Sequence, residues 1–348
     1  MDAPSIQKTF ASAKQVAELA GVSRSAVSRA FTPGTSISEE TRRRVLRAAD
    51  QLGYHVNHLA RGLLRNTSGI VCLVVADSDT PYQARMVRKL SQHLQQAGKV
   101  PMVLETSGPR DNVEGALRQT LNYRADATVV LSGTPPQSII RTCLDNGQRL
   151  LLINRDDRLD GPHNLRLDNA AATRIVLHAF QRAGCRRLAV ITSEAGTASL
   201  IDREQNFTRM AAEAGLQPLV FRSGRTSYET GTAGARLLRA GRRRPAGGAH
   251  RPDAAFCVTD LIACGFMDCA RHEFGLRIPE DLCVMGFDDI EQAGWASYRL
   301  TTFSPPVDAI AARVVELVTA DPLAEPGKSV FEAPVVWRSS VRPGTGCR

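Results

Sequence analysis

No stretch of this 348-residue chain approaches the roughly 20 apolar residues that a membrane-spanning helix needs. The N-terminus, Met1-Asp2-Ala3-Pro4-Ser5-Ile6-Gln7-Lys8, has no apolar segment, so no secretory signal is expected, and the protein is expected to be soluble and not exported. Eight cysteines stand at 72, 143, 185, 257, 264, 269, 283 and 347, without a Cys-x-x-Cys pair, which argues against a zinc finger or a disulfide framework. Reduced thiols acting as small hydrophobes are expected instead, as in the apolar runs around Cys72, Cys257 and Cys283. His55-x-x-His58 is the one close histidine pair and has no cysteine or carboxylate cluster beside it, so no metal is expected. The chain lacks a Gly-x-Ser-x-Gly elbow, a Gly-x-x-x-x-Gly-Lys phosphate loop and a Gly-x-Gly-x-x-Gly dinucleotide turn. Neither an enzyme nor a cofactor is expected.

Hydrophobic residues are 43% and charged residues 23%, a globular balance that excludes wholesale disorder. The charge is uneven. Lys and Arg outnumber Asp and Glu by 44 to 35, a net charge of +9. Residues 1–65 hold ten basic and five acidic side chains, so more than half of the excess sits in the first fifth of the chain. A polyanion-binding head on a nearly neutral body is the implied organisation.

In the head, Ser12 is placed to cap a helix over Ala13–Ala20, with Val16 and Leu19 on its apolar face, and Gly21 ends it. Ser23 then caps a second helix, Arg24–Phe31, whose Ala26, Val27 and Ala30 face inward while Arg24, Ser25, Ser28 and Arg29 face outward. Two short helices joined by a glycine turn form a helix-turn-helix. A third helix starts at Ser38, has Glu39 and Glu40 in its first turn and Val45, Leu46, Ala49 and Leu52 as apolar positions, and ends at Gly53. A plain three-helix bundle with solvated arginines satisfies the same pattern.

The motif Val16-Ala17-x-x-Ala20-Gly21-Val22-Ser23-x-x-Ala26-Val27-Ser28-Arg29 resembles the head of the lactose-repressor (LacI/GalR) family of bacterial transcription regulators. The resemblance continues through Ser38-x-x-Thr41-Arg42-x-Arg44-Val45 and Leu52-Gly53-Tyr54-x-x-Asn57-x-x-Ala60-Arg61-x-Leu63. Gln15 departs from the family's usual aspartate and Val56 from its usual proline. The resemblance implies DNA contacts from Ser12, Arg24, Ser25, Ser28, Arg29 and Asn57. It also implies a hinge helix over Asn57–Arg65 that orders on DNA, with Leu63 as a minor-groove wedge. A segment this short, containing Gly62, is marginal as an isolated helix.

Beyond the head, eight apolar, β-branched runs from Ile70–Ala76 to Leu282–Phe287 alternate with eight amphipathic stretches from Pro81–Ala97 to Pro305–Thr319. Such alternation means parallel sheets covered by helices, and this many units exceed one open sheet, so two lobes are expected. The fold class is therefore an all-α helix-turn-helix head plus an α/β two-lobed core. Polar groups stand at the carboxyl ends of the strands, where such sheets bind ligands: Asp77-Ser78-Asp79, Asn154-Arg155-Asp156, Thr259-Asp260 and Asp288-Asp289.

The body also resembles the type-I periplasmic-binding-protein-like core of the same family. Asp79-Thr80-Pro81-Tyr82, Arg203 before Asn206-Phe207, Val258-Thr259-Asp260, and Val284-Met285-Gly286-Phe287-Asp288-Asp289 followed by Leu300-Thr301-Thr302 carry that likeness. It implies that Arg203 and Asp288 hold an effector, with Tyr82, Arg155, Thr259 and Asp260 beside them. Thr259 offers a hydroxyl where the family usually has an asparagine amide, which changes the hydrogen bonding available to a sugar. A lobe-bracing salt bridge is the structural alternative for Arg203 and Asp288.

The expected division is a helix-turn-helix domain at 1–56, a hinge and linker at 57–68, a core at 69–340 and a tail at 341–348. Within the core, the first lobe is expected at about 69–167 plus 291–323 and the second at about 168–290 plus 324–340. The implied function is a cytoplasmic, ligand-responsive repressor. It would bind a palindromic double-stranded DNA operator as a homodimer or tetramer, and a small polar effector such as a sugar or sugar acid would release it. A transport solute-binding protein is the rival for the body, and the basic head and missing export signal count against it.

Overall fold

The computed structural model describes residues 11–32, 34–56, 67–76, 78–106, 113–131, 133, 135–155, 161–240, 251–321 and 326–344. Contacts divide the chain into two units, Met1–Ser68 and Gly69–Arg348.

The first unit holds three helices, α1 (Ala13–Ala20), α2 (Arg24–Ala30) and α3 (Glu39–Leu52). Each begins at a serine whose hydroxyl accepts from a backbone N–H: Ser12 from Gln15, Ser23 from Ala26 and Ser38 from Thr41. Gln15 reaches back to the Ser12 N–H at 2.8 Å, so the residue that departs from the family pattern completes a reciprocal cap. Gly21 (φ 62°) and Gly53 (φ 60°) end α1 and α3 in the left-handed region. The core is small: Val16, Ala17, Ala20, Val27, Ala30, Val45, Ala48 and Ala49. The expected apolar positions Leu19, Leu46 and Leu52 are 53%, 43% and 36% exposed, a correction to the sequence reading. Alanines let the helices approach closely, so the narrow interior closes without these leucines.

In the second unit, β1 (Ile70–Val75), β2 (Val100–Glu105), β3 (Ala127–Val130), β4 (Arg149–Ile153), β5 (His163–Leu167) and β11 (Lys328–Phe331) form a parallel sheet in the order β11-β5-β4-β3-β1-β2. Its helices are α4 (Pro81–Gln96), α5 (Val113–Asn122), α6 (Gln137–Asp145) and α11 (Val307–Thr319). The second lobe has a parallel sheet β7-β6-β8-β9, made of β6 (Leu188–Thr192), β7 (Leu219–Arg222), β8 (Ala254–Cys257) and β9 (Cys283–Met285). Helices α7 (Asn169–Arg182), α8 (Ala198–Glu213), α9 (Tyr228–Ala240) and α10 (Asp260–Asp268) pack on it. An antiparallel pair, β10 (Thr302–Phe303) and β12 (Val335–Val336), adjoins β9 through a Met285–Thr301 bridge.

The lobe boundaries correct the expected ones. Residues 291–303 stay with the second lobe, because Gly286 and Asp288 donate to the carbonyls of Thr301 and Phe303. β11 belongs to the first sheet, paired with β5, whereas the sequence pattern places 324–340 in the second lobe. The chain therefore crosses between lobes after β5, after β10 and after β11. Two hydrogen bonds tie the crossings together: Asp168 N–H to the Phe331 carbonyl at 2.9 Å, and Ser304 N–H to the Pro334 carbonyl at 2.8 Å. The tail assigned to 341–348 is packed at its start, where Arg342 donates to the carbonyls of Ala183, Pro279 and Glu280.

Candidate functional site

In α2, Arg24, Ser25, Ser28 and Arg29 are all exposed, while Ala26, Val27 and Ala30 are buried against α1 and α3. Arg24 and Ser28, and likewise Ser25 and Arg29, are one turn apart, so the four side chains share one face. Ser12 is exposed but its hydroxyl is engaged in capping α1. Asn57 and Leu63 lie outside the described residues.

A cavity of about 770 Å³ lies between the lobes of the second unit, at the carboxyl ends of both parallel sheets. It brings together five of the six residues expected there: Tyr82 and Arg155 from the first lobe, and Arg203, Thr259 and Asp288 from the second. Pro81, Met86, Val113, Leu131, Leu200, Leu261 and Ile290 supply apolar walls. A mostly apolar pocket with a few convergent polar groups is the usual form of a small-ligand site.

Arg203 is the centre of the polar wall. It sits mid-helix on α8, is 2% exposed, and lies over the Phe287 ring, 3.5 Å from guanidinium carbon to centroid. Its Nε donates to Asn169 Oδ1 at 3.1 Å and its Nη1 to the Val258 carbonyl at 2.8 Å. Asn169 in turn donates to Asp202 at 2.8 Å, which fixes the amide with its oxygen toward Arg203. Nη1 also lies 3.6 Å from Asp288 Oδ1, close enough for attraction but long for a hydrogen bond. Burial lowers the Arg203 pKa, with the Asp288 charge pulling against it. Burial pushes the Asp288 carboxyl up to about 7, against the opposing pull of Arg203 and Arg85.

Asp288 has φ 113° and Asp289 φ 49°, both in the region that disfavours side chains. Such backbone persists only where its surroundings overdetermine it. Here Asp288 N–H donates to the Phe303 carbonyl at 3.0 Å, Arg338 donates to Asp289 at 2.7 Å, and Arg85 of α4 donates to the carbonyls of both aspartates. Arg85 thereby joins the first lobe to the loop that carries Asp288.

Tyr82 stands at the start of α4 with its hydroxyl oxygen buried, near Asn154 but without a hydrogen bond of good geometry among the described residues. Burial pushes this phenol up to about 12. Arg155 donates to the carbonyls of Ile153 and Leu131, and burial brings it down to about 10. The Thr259 hydroxyl accepts from Ile262 N–H as the cap of α10, which leaves its O–H to donate. Asp260 is the exception. It does not line the cavity; its carboxylate accepts from Ile290 N–H at 3.0 Å and from Thr302 Oγ1. Its oxygen occupies the space a Cβ on Gly286 would fill, at 2.1 Å, so it braces the Asp288 loop from behind.

Arg85 and Asn169 escaped the sequence reading. Arg85 lies one turn after Tyr82 on the same helix, and Asn169 directly follows the crossing at Asp168. Both act through partners distant in the chain, and only local adjacency to those features pointed to them.

Residues 12–57 match the family model described as bacterial regulatory proteins, lacI family, and residues 177–341 match a periplasmic binding protein-like domain. The chain is 28% identical over 348 residues to the HTH-type transcriptional regulator GalR of Escherichia coli, covering 95% of this chain and 96% of that one. It is 28% identical over 320 residues to the HTH-type transcriptional repressor PurR of Aliivibrio fischeri, covering 89% and 91%. A lac repressor dimer bound to operator and the anti-inducer ONPF shares the fold, with a TM-score of 0.83 at 20% identity over 95% of this chain and 99% of that one. The transcriptional regulator CelR in complex with cellobiose aligns with a TM-score of 0.67 at 25% identity, covering 95% and 99%. With the capped helix-turn-helix and the two-lobed core in one chain, the protein belongs to the LacI family of bacterial transcription regulators.

Proposed function

We propose that the protein is a cytoplasmic, ligand-responsive repressor, with no catalytic activity of its own, that binds a palindromic operator as a dimer and is released by a small polar metabolite. The observation that carries this reading is the interlobe cavity itself. A buried arginine, a nearby carboxylate held on strained backbone and a buried phenol converge there from both lobes. One helix-turn-helix reads only a few base pairs, so two-fold symmetry and a matching operator are the economical arrangement. Arg24, Ser25 and Arg29 face the bases, Ser28 contacts the DNA beside them, Ser12 and Asn57 meet the phosphates, and Leu63 wedges the minor groove.

In the cavity, Asp288 accepts from ligand hydroxyls, and Arg203, Tyr82 and Thr259 donate. Arg155 lines the first-lobe wall, with at least two of its donors held by backbone carbonyls. A sugar or sugar acid fits this set; Thr259 and the apolar walls favour a ligand with one hydrophobic face. The ligand acts by its difference in affinity for two lobe arrangements, since equal affinity for both shifts nothing. Arg85 of the first lobe donates to the Asp288 and Asp289 carbonyls of the second, so a lobe arrangement that separated these residues would lose both bonds.

The test is a gel shift of the purified protein on DNA from its own upstream region, repeated with each metabolite that raises its melting temperature. Sequence-specific retardation relieved by one such metabolite is the expected result. Binding of the metabolite with no specific retardation on any palindrome would return the body to a solute-binding role.

A further inference from the structure

Five charged side chains line the interlobe cavity among the described residues, and four of them form two pairs. Glu114 and Arg118 of α5 are 2.7 Å apart in the first lobe, and Arg203 and Asp288 are 3.6 Å apart in the second. Behind the second-lobe wall, Asp260 and Arg85 meet the Asp288 loop with opposite charges. Arg155 is the fifth. Among the described residues no carboxylate lies within ion-pair distance of it, and its bonded partners are backbone carbonyls.

Those bonds also fix how it can meet a ligand. Arg155 follows β4, where its Nε donates to the Ile153 carbonyl at 3.1 Å and its Nη2 to the Leu131 carbonyl at 2.5 Å. One edge of the guanidinium is therefore spent on the backbone. The edge formed by Nη1 and the second Nη2 hydrogen remains, two parallel N–H groups that match the two oxygens of a carboxylate. Arg203 suits a different group. A ligand carboxylate there would meet Asp288 within the same pair, whereas a hydroxyl can accept from Arg203 and donate to Asp288. One uncompensated positive charge calls for a monoanion, while a phosphate ester brings nearly two negative charges at neutral pH.

We propose that the effector is a polyhydroxy monocarboxylate, of the aldonate or uronate class, whose carboxylate pairs with Arg155 while its hydroxyls bridge Arg203 and Asp288. This rests on the cavity being the effector site. The charged end of the ligand then falls on the first lobe and the hydroxyl end on the second. A neutral sugar leaves Arg155 uncompensated, so selection against it comes from the first lobe alone.

The full-length protein is screened by thermal shift against six-carbon aldonates, uronates and 2-ketoaldonates. Each is run beside the neutral sugar or alditol of the same skeleton and its phosphate ester, and Kd is measured for every set that shifts. The expected result is an acid bound about 30-fold or more tighter than its neutral counterpart. In Arg155→Gln that preference should collapse, and Arg155→Lys should keep part of it, with a cooperative circular-dichroism melt as the check of folding. The ratio of the two affinities is the readout, because a purely structural loss would weaken acid and neutral ligand alike. A neutral sugar or a phosphate ester as the tightest ligand overturns the proposal and leaves the cavity as the effector site. An acid preference that survives Arg155→Gln does the same, and so does a panel in which no acid shifts the melt. Binding of an acid that survives both Arg155→Gln and Arg203→Ala would place the ligand outside the cavity and overturn the effector reading with it.

Discussion

The head and the core solve opposite problems with the same residue type. In the head, arginines such as Arg24 and Arg29 stand in water on a bundle whose interior is largely alanine and valine. In the core, Arg203 is sealed between Phe287, Asn169 and a backbone carbonyl. An exposed guanidinium loses little when its partner leaves, which suits a surface that must bind and release a polyanion. A buried one is expensive to leave unpaired, which suits a site where a ligand must change the balance between two arrangements. Charge placed for reversible contact stays at the surface; charge placed for discrimination is buried and braced.

The sharpest break in that contrast is Arg203→Ala. Removing one partner of a buried pair leaves Asp288 with only Arg85 to offset its charge and should lower core stability by about 3 kcal/mol in urea melts. The effector response should vanish, while retardation of operator DNA persists below the lowered melting temperature. An Arg203→Ala protein released at wild-type metabolite concentrations would reduce Arg203 to a lobe brace.

A glycine pair gives the next largest effect. In Gly265→Ala the new Cβ would stand 1.9 Å from the Tyr228 carbonyl oxygen, forcing α10 off α9. Overpacking of this kind should cost about 3 kcal/mol. In Gly21→Ala of the head the space is open and only the φ of 62° is strained, a cost of about 1–2 kcal/mol. Equal losses in thermal melts would show that the core tolerates close backbone approach no worse than the head tolerates a strained turn.

Arg29→Ala sharpens the head's side. Loss of a bidentate guanine contact should cost about 1–3 kcal/mol on the operator and far less on random DNA. Equal losses on both, read by titration at fixed salt, would make Arg29 a phosphate contact.

A further contrast is a pH slope confined to the core. Burial holds Asp288 and Asp260 up to about 7 in the folded chain, whereas unfolded carboxyls ionise near pH 4. Between those values the folded state keeps protons that the unfolded state has lost, so this contribution falls as pH rises and levels off above about 7. Asp288→Asn should make that slope shallower in urea melts between pH 4.5 and 7.5, leaving the share of Asp260. No head carboxylate is buried among the described residues, so hydrogen exchange in α1–α3 should show no matching slope.

The head was legible because its determinants are local. Ser12, Ser23 and Ser38 cap helices that begin one residue later, and Gly21 and Gly53 end two of them. What misled there was counting Leu19, Leu46 and Leu52 as core, since periodicity marks a face but does not say how wide the partner's groove is. In the core, strands with continuous apolar runs were equally plain. β5 was not, because His163, Asn164 and Arg166 interrupt its pattern, and it is held by partners on both sides, β4 and β11. The site was half legible: Tyr82, Arg155, Arg203, Thr259 and Asp288 stand in motifs or at strand ends, whereas Asp260 belongs to the same motif and faces away.

The sequence alone determined what depends on neighbours in the chain: caps, turns, helical faces, the concentration of basic charge in the head and the alternation of strand and helix. Tertiary structure decided what depends on residues tens to hundreds of positions apart. It put β11 in the first sheet, turned Asp260 behind the loop that presents Asp288, and let Arg85 reach that loop from the other lobe. Local pattern records which residues prefer a buried or left-handed position. Which partner meets them there follows only when the sheets are assembled and every buried donor must find its acceptor.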